Sequence, residues 1–182
     1  KIVPASGETK RLAEQAGLTC VELNDVESLP LTIDGADEID ENFQLIKGGG
    51  GALLREKMVA SISEKLIIIA DESKCVSQLG RFPLPVEVIP SGWKPVQKKI
   101  LATGCKKADL RKQNAQPFVS ADNHYILDCH FEKINDAFAL NTSLHQIPGV
   151  VETGLFLNMT YAAVIGYADG RIEMKMNGSS IS

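Results

Sequence analysis

Phe43-Gln-Leu-Ile-Lys-Gly-Gly-Gly-Gly-Ala-Leu-Leu-Arg-Glu-Lys57 places an apolar strand candidate, four glycines and a strong helix former in direct succession. Phe43 to Ile46 reads as a short strand and Ala52 to Glu64 as a helix. Leu66-Ile-Ile-Ile-Ala70 then forms a continuous apolar run, as expected for a strand covered on both faces. Working outward, Lys10 to Ala16 reads as a helix capped by the preceding Ser6-Gly-Glu-Thr and closed by Gly17. Leu18 to Leu23 and Leu29 to Ile33 are further strand candidates. This alternation of strand and helix predicts a parallel, doubly wound α/β sheet.

Beyond Arg81 the texture changes. Phe82-Pro-Leu-Pro-Val-Glu-Val-Ile-Pro90 carries three prolines in a short stretch and marks a boundary. The chain after it reads as strand (86–89), helix (95–103), strand (107–111), strand (125–131), helix (136–146) and strand (150–156). That β-α-β-β-α-β order is the ferredoxin-like pattern. Residues 163–176 give two short strands around Ala168-Asp-Gly and are expected to rejoin the first domain. The fold class is therefore α/β, with a parallel-sheet domain (1–82 plus 157–182) and an inserted α+β domain (83–156).

Bulk properties narrow the function. A chain of 182 residues, 44% hydrophobic and 23% charged, has the composition of a globular protein. A net charge of −4 argues against nucleic acid as the main partner, whereas a basic pocket for a small anion remains compatible with it. No apolar run has the roughly 18–20 residues of a membrane span, and no signal peptide is visible, so the cytoplasm is the default compartment. Cys20, Cys75, Cys105 and Cys129 lack metal-site spacing and read as free thiols. His124, His130 and His145 read as surface or core histidines.

Three segments could carry chemistry. Glycines entering a helix let a backbone approach a ligand and present free N–H groups to an anion; the bland alternative is a linker. Glu56 shares its helix face with Ala52, Leu53, Val59 and Ala60. An apolar stripe keeps a carboxylate short of water and raises its basicity, although a salt-bridged glutamate at the core's edge fits the same pattern. Asp34-Gly-Ala-Asp-Glu38 follows a strand, where its acids could bind sugar hydroxyls or carry protons. A solvated turn and a magnesium site compete with that reading. The glycine directly after the first aspartate does not suit a calcium loop, and no histidine or further carboxylate completes a metal shell. Lys47 and Lys74 could balance this negative charge and hold an oxyanion.

Taken together, Asp34-Gly-Ala-Asp-Glu, Lys47-Gly-Gly-Gly-Gly-Ala-Leu-Leu-Arg-Glu-Lys and Ala70-Asp-Glu-Ser-Lys resemble the signature blocks of the type A ribose-5-phosphate isomerases. Phe82-Pro-Leu-Pro-Val-Glu-Val and Ile147-Pro-Gly-Val-Val-Glu-Thr-Gly-Leu-Phe extend the likeness over essentially the whole chain. The resemblance implies interconversion of D-ribose 5-phosphate and D-ribulose 5-phosphate through a cis-enediolate, in the pentose phosphate pathway. It makes Glu56 the proton acceptor, with Asp34 and Asp37 as further catalytic groups. Asp34, Gly35, Ala36, Asp37, Lys47, Gly48, Gly49, Gly50 and Lys74 become substrate contacts. It also implies a Rossmann-like domain with a ferredoxin-like insertion, no metal or organic cofactor, and a homodimer or dimer of dimers. The family's Gly-Thr-Gly-Ser-Thr phosphate loop has no counterpart here, so a first strand and helix are expected to be missing. A molecule without them is expected to be inactive, whereas one that carries them ahead of the sequence given is expected to be a complete enzyme. Two rivals are a sugar-phosphate sensor on the same fold, which has no use for a base, and an acyl-CoA transferase, whose glutamate is a nucleophile.

Overall fold

The computed structural model describes residues 1–178, so the last four residues of the expected segment 157–182 lie outside the described residues. Its first half comprises α1 (Gly7–Gln15), β1 (Thr32–Asp34), β2 (Glu38–Ile39), β3 (Leu45–Ile46), α2 (Leu53–Ser61) and β4 (Leu66–Asp71). There come next β5 (Leu84–Val88), α3 (Trp93–Leu101), β6 (Lys107–Leu110), β7 (Lys112–Gln113), β8 (Gln116–Pro117) and β9 (Tyr125–His130). The chain continues with α4 (Ala137–His145), β10 (Val150–Thr153), β11 (Leu155–Phe156), β12 (Thr160–Gly166) and β13 (Ile172–Met176). The protein is thus α/β with a parallel sheet.

That sheet runs β1-β4-β12-β13. β1 and β12 both pair with β4 in parallel, and β13 closes one edge antiparallel to β12. Leu66 and Ile68 are buried against Leu45, Ala60, Phe156, Ala163 and Ile165. The expectation that residues 66–70 are covered on both faces is corrected here. Burial alternates with the strand's period of two, and among the described residues the second face stays open. It leaves Ile69 54% and Ile33 59% exposed.

Proline and backbone geometry explain where predicted strands fail or shorten. Ile2 and Cys20 form one parallel bridge instead of a strand over 18–23. Pairing cannot extend past Ile2 to Pro4, which has no N–H to give. Leu29 forms a single parallel bridge with Ser63, and β1 starts beyond Pro30, at Thr32. Phe43 adopts a left-handed φ of 59°, which delays β3 to Leu45. The expected strand 150–156 divides at Gly154 into β10 and β11, which join different sheets.

A second sheet, wholly antiparallel, has the order β10-β5-β9-β6. Its core packs Val86, Val88 and Leu127 against Ile100 of α3 and Leu144 of α4. Between the two large sheets lies a small one, β11-β3-β2. Its middle strand delivers Lys47 and the glycines.

Glu38 departs from its place in the predicted acidic loop. It lies on β2 at 1% exposure, where its carboxylate accepts the N–H groups of Gly80 (2.7 Å) and Phe82 (2.6 Å). It therefore ties down the chain as it crosses toward the second sheet. Removing it orphans two N–H groups, one in a buried setting, and bonds to a charged acceptor contribute about 1.5–3 kcal/mol each. Glu38→Ala is expected to lower unfolding free energy by about 3 kcal/mol or more, read from the midpoint of urea denaturation.

Candidate active site

Residues 34–37 and 47–50, together with Glu56, line one cleft of about 220 Å³. The turn after β1, the turn after β3 and the first turn of α2 thus converge from three separate elements. Lys74 is the predicted residue the structure does not bring in. It is half-buried on the single 3-10 turn Glu72–Lys74 after β4, outside the lining of this cleft.

Lys47 sits at the centre and is 3% exposed. Its ammonium donates a hydrogen bond to the carbonyl of Gly35 at 2.6 Å. It stands 2.9 Å from Asp34 Oδ2 and 3.1 Å from Glu56 Oε2. Both are ion contacts without the alignment of a hydrogen bond, and Glu56 Oε2 is buried without a hydrogen-bond partner. The ammonium also lies 5.3 Å from the centre of the Phe156 ring. A buried cation is tolerable when carboxylates and a carbonyl replace its water.

Glu56 occupies the first turn of α2, backed by Leu53, Val59 and Ala60, all buried. Burial pushes its carboxyl above the ordinary 4.5, and the negative charges of Asp34 and Asp37 push the same way, while Lys47 opposes them. The carboxylate is therefore more basic than a free glutamate, yet is held charged beside an ammonium. It also borders a second cleft of about 410 Å³, shared with Asp34 and reached by Ser6, Thr9 and Leu31.

Asp37 has a structural task. Its Oδ2 accepts the Gly49 N–H at 2.7 Å, and a Cβ on Gly49 would come within 2.6 Å of Oδ1. Gly48 has φ 106°. The loop thus needs glycine at 48 for its conformation and at 49 for close approach. α2 has no side-chain cap at its start.

Several contributors were invisible in sequence spacing. Arg55 grips Asp122 through Nε (2.9 Å) and Nη2 (2.8 Å). Lys57 donates to Glu152 at 2.7 Å and to the carbonyl of Thr153 at 2.6 Å. Burial lowers the pKa of Lys57 and Glu152 opposes that shift. Arg55, Glu56 and Lys57 therefore point in three directions from one turn, the outer two fastening α2 to residues near the second sheet. The three histidines are outside the cleft, and all four cysteines are free thiols. Among the described residues no group of three or more His, Cys, Asp and Glu is placed to hold a metal ion, and no helix is long and apolar enough to cross a membrane.

With this geometry in place, the likeness to known proteins is decisive. The sequence model of the family described as ribose 5-phosphate isomerase A (phosphoriboisomerase A) matches residues 1–170. The chain belongs to the ribose 5-phosphate isomerase A family. It is 53% identical over 169 residues to the ribose-5-phosphate isomerase A of Bacillus mycoides, spanning 92% of this chain and 76% of that protein. The enzyme of Ruegeria pomeroyi is 46% identical over 179 residues, spanning 95% of this chain and 68% of its own. Among solved structures, ribose 5-phosphate isomerase from Plasmodium falciparum superposes with a TM-score of 0.89 at 39% identity, covering 97% of this chain and 77% of that one. A D-ribose-5-phosphate isomerase in complex with phospho-erythronic acid gives 0.91 at 33% identity, covering 96% and 76%.

Lys47 is what holds the Glu56 carboxyl down against burial and two like charges. Lys47→Met removes that attraction and leaves the opposing influences, so the Glu56 titration is expected to move further up. Carbon-13 NMR of labelled glutamate side chains would show it; an unmoved or lowered Glu56 titration would contradict the assignment.

Proposed function

We propose that this chain catalyses the interconversion of D-ribose 5-phosphate and D-ribulose 5-phosphate, with Glu56 carrying the proton. The observation that carries this reading is the Glu56 carboxylate itself. It is 18% exposed and 3.1 Å from a buried ammonium, in a cleft shared with the glycine loop of an isomerase family. A base gains from a raised pKa and needs a proton within reach; burial shifts the Glu56 carboxyl upward and the cleft gives the access.

Asp34 assists opening of the furanose ring by acid–base catalysis. Glu56 then takes the proton from C2 of the open aldose. The electrons of that bond form C1=C2 and charge moves onto O1, giving the cis-enediolate. A proton passes from O2 to O1, and Glu56 returns its own to C1, leaving the ketone at C2. Lys47 and the Gly50 N–H of the glycine loop face the growing charge. Asp37 fixes the loop through Gly49. The planar carboxylate of phospho-erythronic acid, the compound bound to one solved relative, resembles the O1–C1–C2–O2 edge of such an enediolate.

The architecture is further read as a Rossmann-like domain (1–82 and 157–182) carrying a ferredoxin-like insertion (83–156). In its favour, the four strands of the second sheet stand, by chain order, fourth-first-third-second, with helices after the first and third.

General-base catalysis is typically worth about 10²–10⁴-fold. Glu56→Gln is expected to lower kcat for ribose 5-phosphate by that factor while calorimetric binding of the sugar phosphate persists. Turnover within about tenfold of the unaltered protein would remove Glu56 from the mechanism, and binding without turnover in the unaltered protein would favour a sensor.

A further inference from the structure

Arg111 lies more than fifty residues beyond the glycine loop in sequence and belongs to the second sheet's side of the molecule. Its backbone is fixed there by Arg111 N–H to the carbonyl of Ile126 and by Phe118 N–H to its own carbonyl, both at 2.9 Å. Its side chain is largely buried, with 13% exposure, and forms a fork on Asp128: Nη2 to Oδ1 at 2.5 Å and Nε to Oδ2 at 3.1 Å. The remaining nitrogen, Nη1, crosses to the other side. It donates to the carbonyls of Gly48 (2.8 Å) and Gly49 (3.2 Å). The Phe118 ring stacks 5.9 Å from the guanidinium and presses directly against Gly51.

A trans peptide points its N–H opposite to its C=O. With two successive carbonyls drawn to one guanidinium nitrogen, the N–H groups of Gly49 and Gly50 are turned the other way. Gly49 makes that direction visible, because its N–H reaches Asp37 in the cleft wall. Gly50 also lines the cleft. A carbonyl bonded to a cation also polarises its peptide, which strengthens the N–H on the far side.

We propose that Arg111 is a positioning residue for the isomerisation: it holds peptides 48–49 and 49–50 so that the Gly49 N–H stays on Asp37 and the Gly50 N–H meets the enediolate oxygens. It touches no substrate and acts through the loop, with Asp128 setting its fork. This inference rests on the isomerase reading of the cleft. A lysine cannot replace it, since a point charge cannot hold a carboxylate edge and two carbonyls at once.

The test compares the unaltered protein with Arg111→Met and Arg111→Lys, using ribose 5-phosphate turnover and calorimetric titration with phospho-erythronic acid. Turnover is expressed per inhibitor-binding site, so that unfolded molecules do not count. Failure of the unaltered protein to turn over ribose 5-phosphate would sink the isomerase reading itself, before any variant is compared. Given turnover, Arg111→Met is expected to lose about 10²-fold in kcat, the scale of losing an oxyanion donor. KM should stay within about threefold. Affinity for phospho-erythronic acid should fall in step with kcat, and Arg111→Lys should recover only part of both. Unchanged kcat per site, or a kcat loss with undiminished inhibitor affinity, overturns the proposal. So does a loss confined to KM. If Arg111→Met does not fold, Arg111→Lys decides: a loss of about tenfold or more in both kcat and inhibitor affinity supports the role, and anything less overturns it.

Discussion

A single buried ammonium organises the site. Lys47 is nearly inaccessible to water, and its charge is tolerated because Asp34, Glu56 and the Gly35 carbonyl surround it. The same ammonium lets two carboxylates approach one another in a half-dry cleft. Without it, Glu56 and Asp34 would repel each other, and burial would favour the neutral form of Glu56. Lys47 therefore sets both the packing of the loops and the protonation of Glu56. Its location is a product of strand pairing: β3 is the middle strand of a three-stranded sheet, and the Lys47 N–H is fixed to the Gly154 carbonyl at 2.9 Å.

Much of this was legible in the sequence, for a physical reason. The residues that make the cleft lie on short contiguous turns: Asp34 to Asp37, Lys47 to Gly50, and Glu56 one helical turn later. Local periodicity sufficed to place Glu56 on the apolar stripe of Leu53, Val59 and Ala60, and these are buried. The acidic loop was read too generously, because Glu38 carries the same charge as its neighbours but points into the interior. Strand alternation separates them: β2 begins at Glu38, and the next pleat faces the other way.

What sequence spacing missed depends on contacts between distant segments. Arg111 and Phe118 reach the glycines from about sixty residues away, and Glu152 reaches Lys57 across nearly a hundred. No local pattern marks an arginine as the partner of a particular carbonyl. The apolar run 66–70 misled for a related reason. Uniform hydrophobicity reports what a strand can tolerate, whereas coverage is decided by which other segments arrive. Here Ile68 is buried and its neighbour Ile69 is open.

The consecutive triplet Arg55-Glu56-Lys57 carries one more consequence. Successive helical residues diverge by about 100°, and each of these three meets a different partner: Asp122, Lys47 and Glu152. Inserting or deleting one residue in the glycine run would rotate the whole set by that angle. A cation or a solvent-facing stem would then occupy the place of the carboxylate. The number of glycines is accordingly as tightly constrained as their identity, and sequence drift in this segment is resisted both as exchange and as change of length.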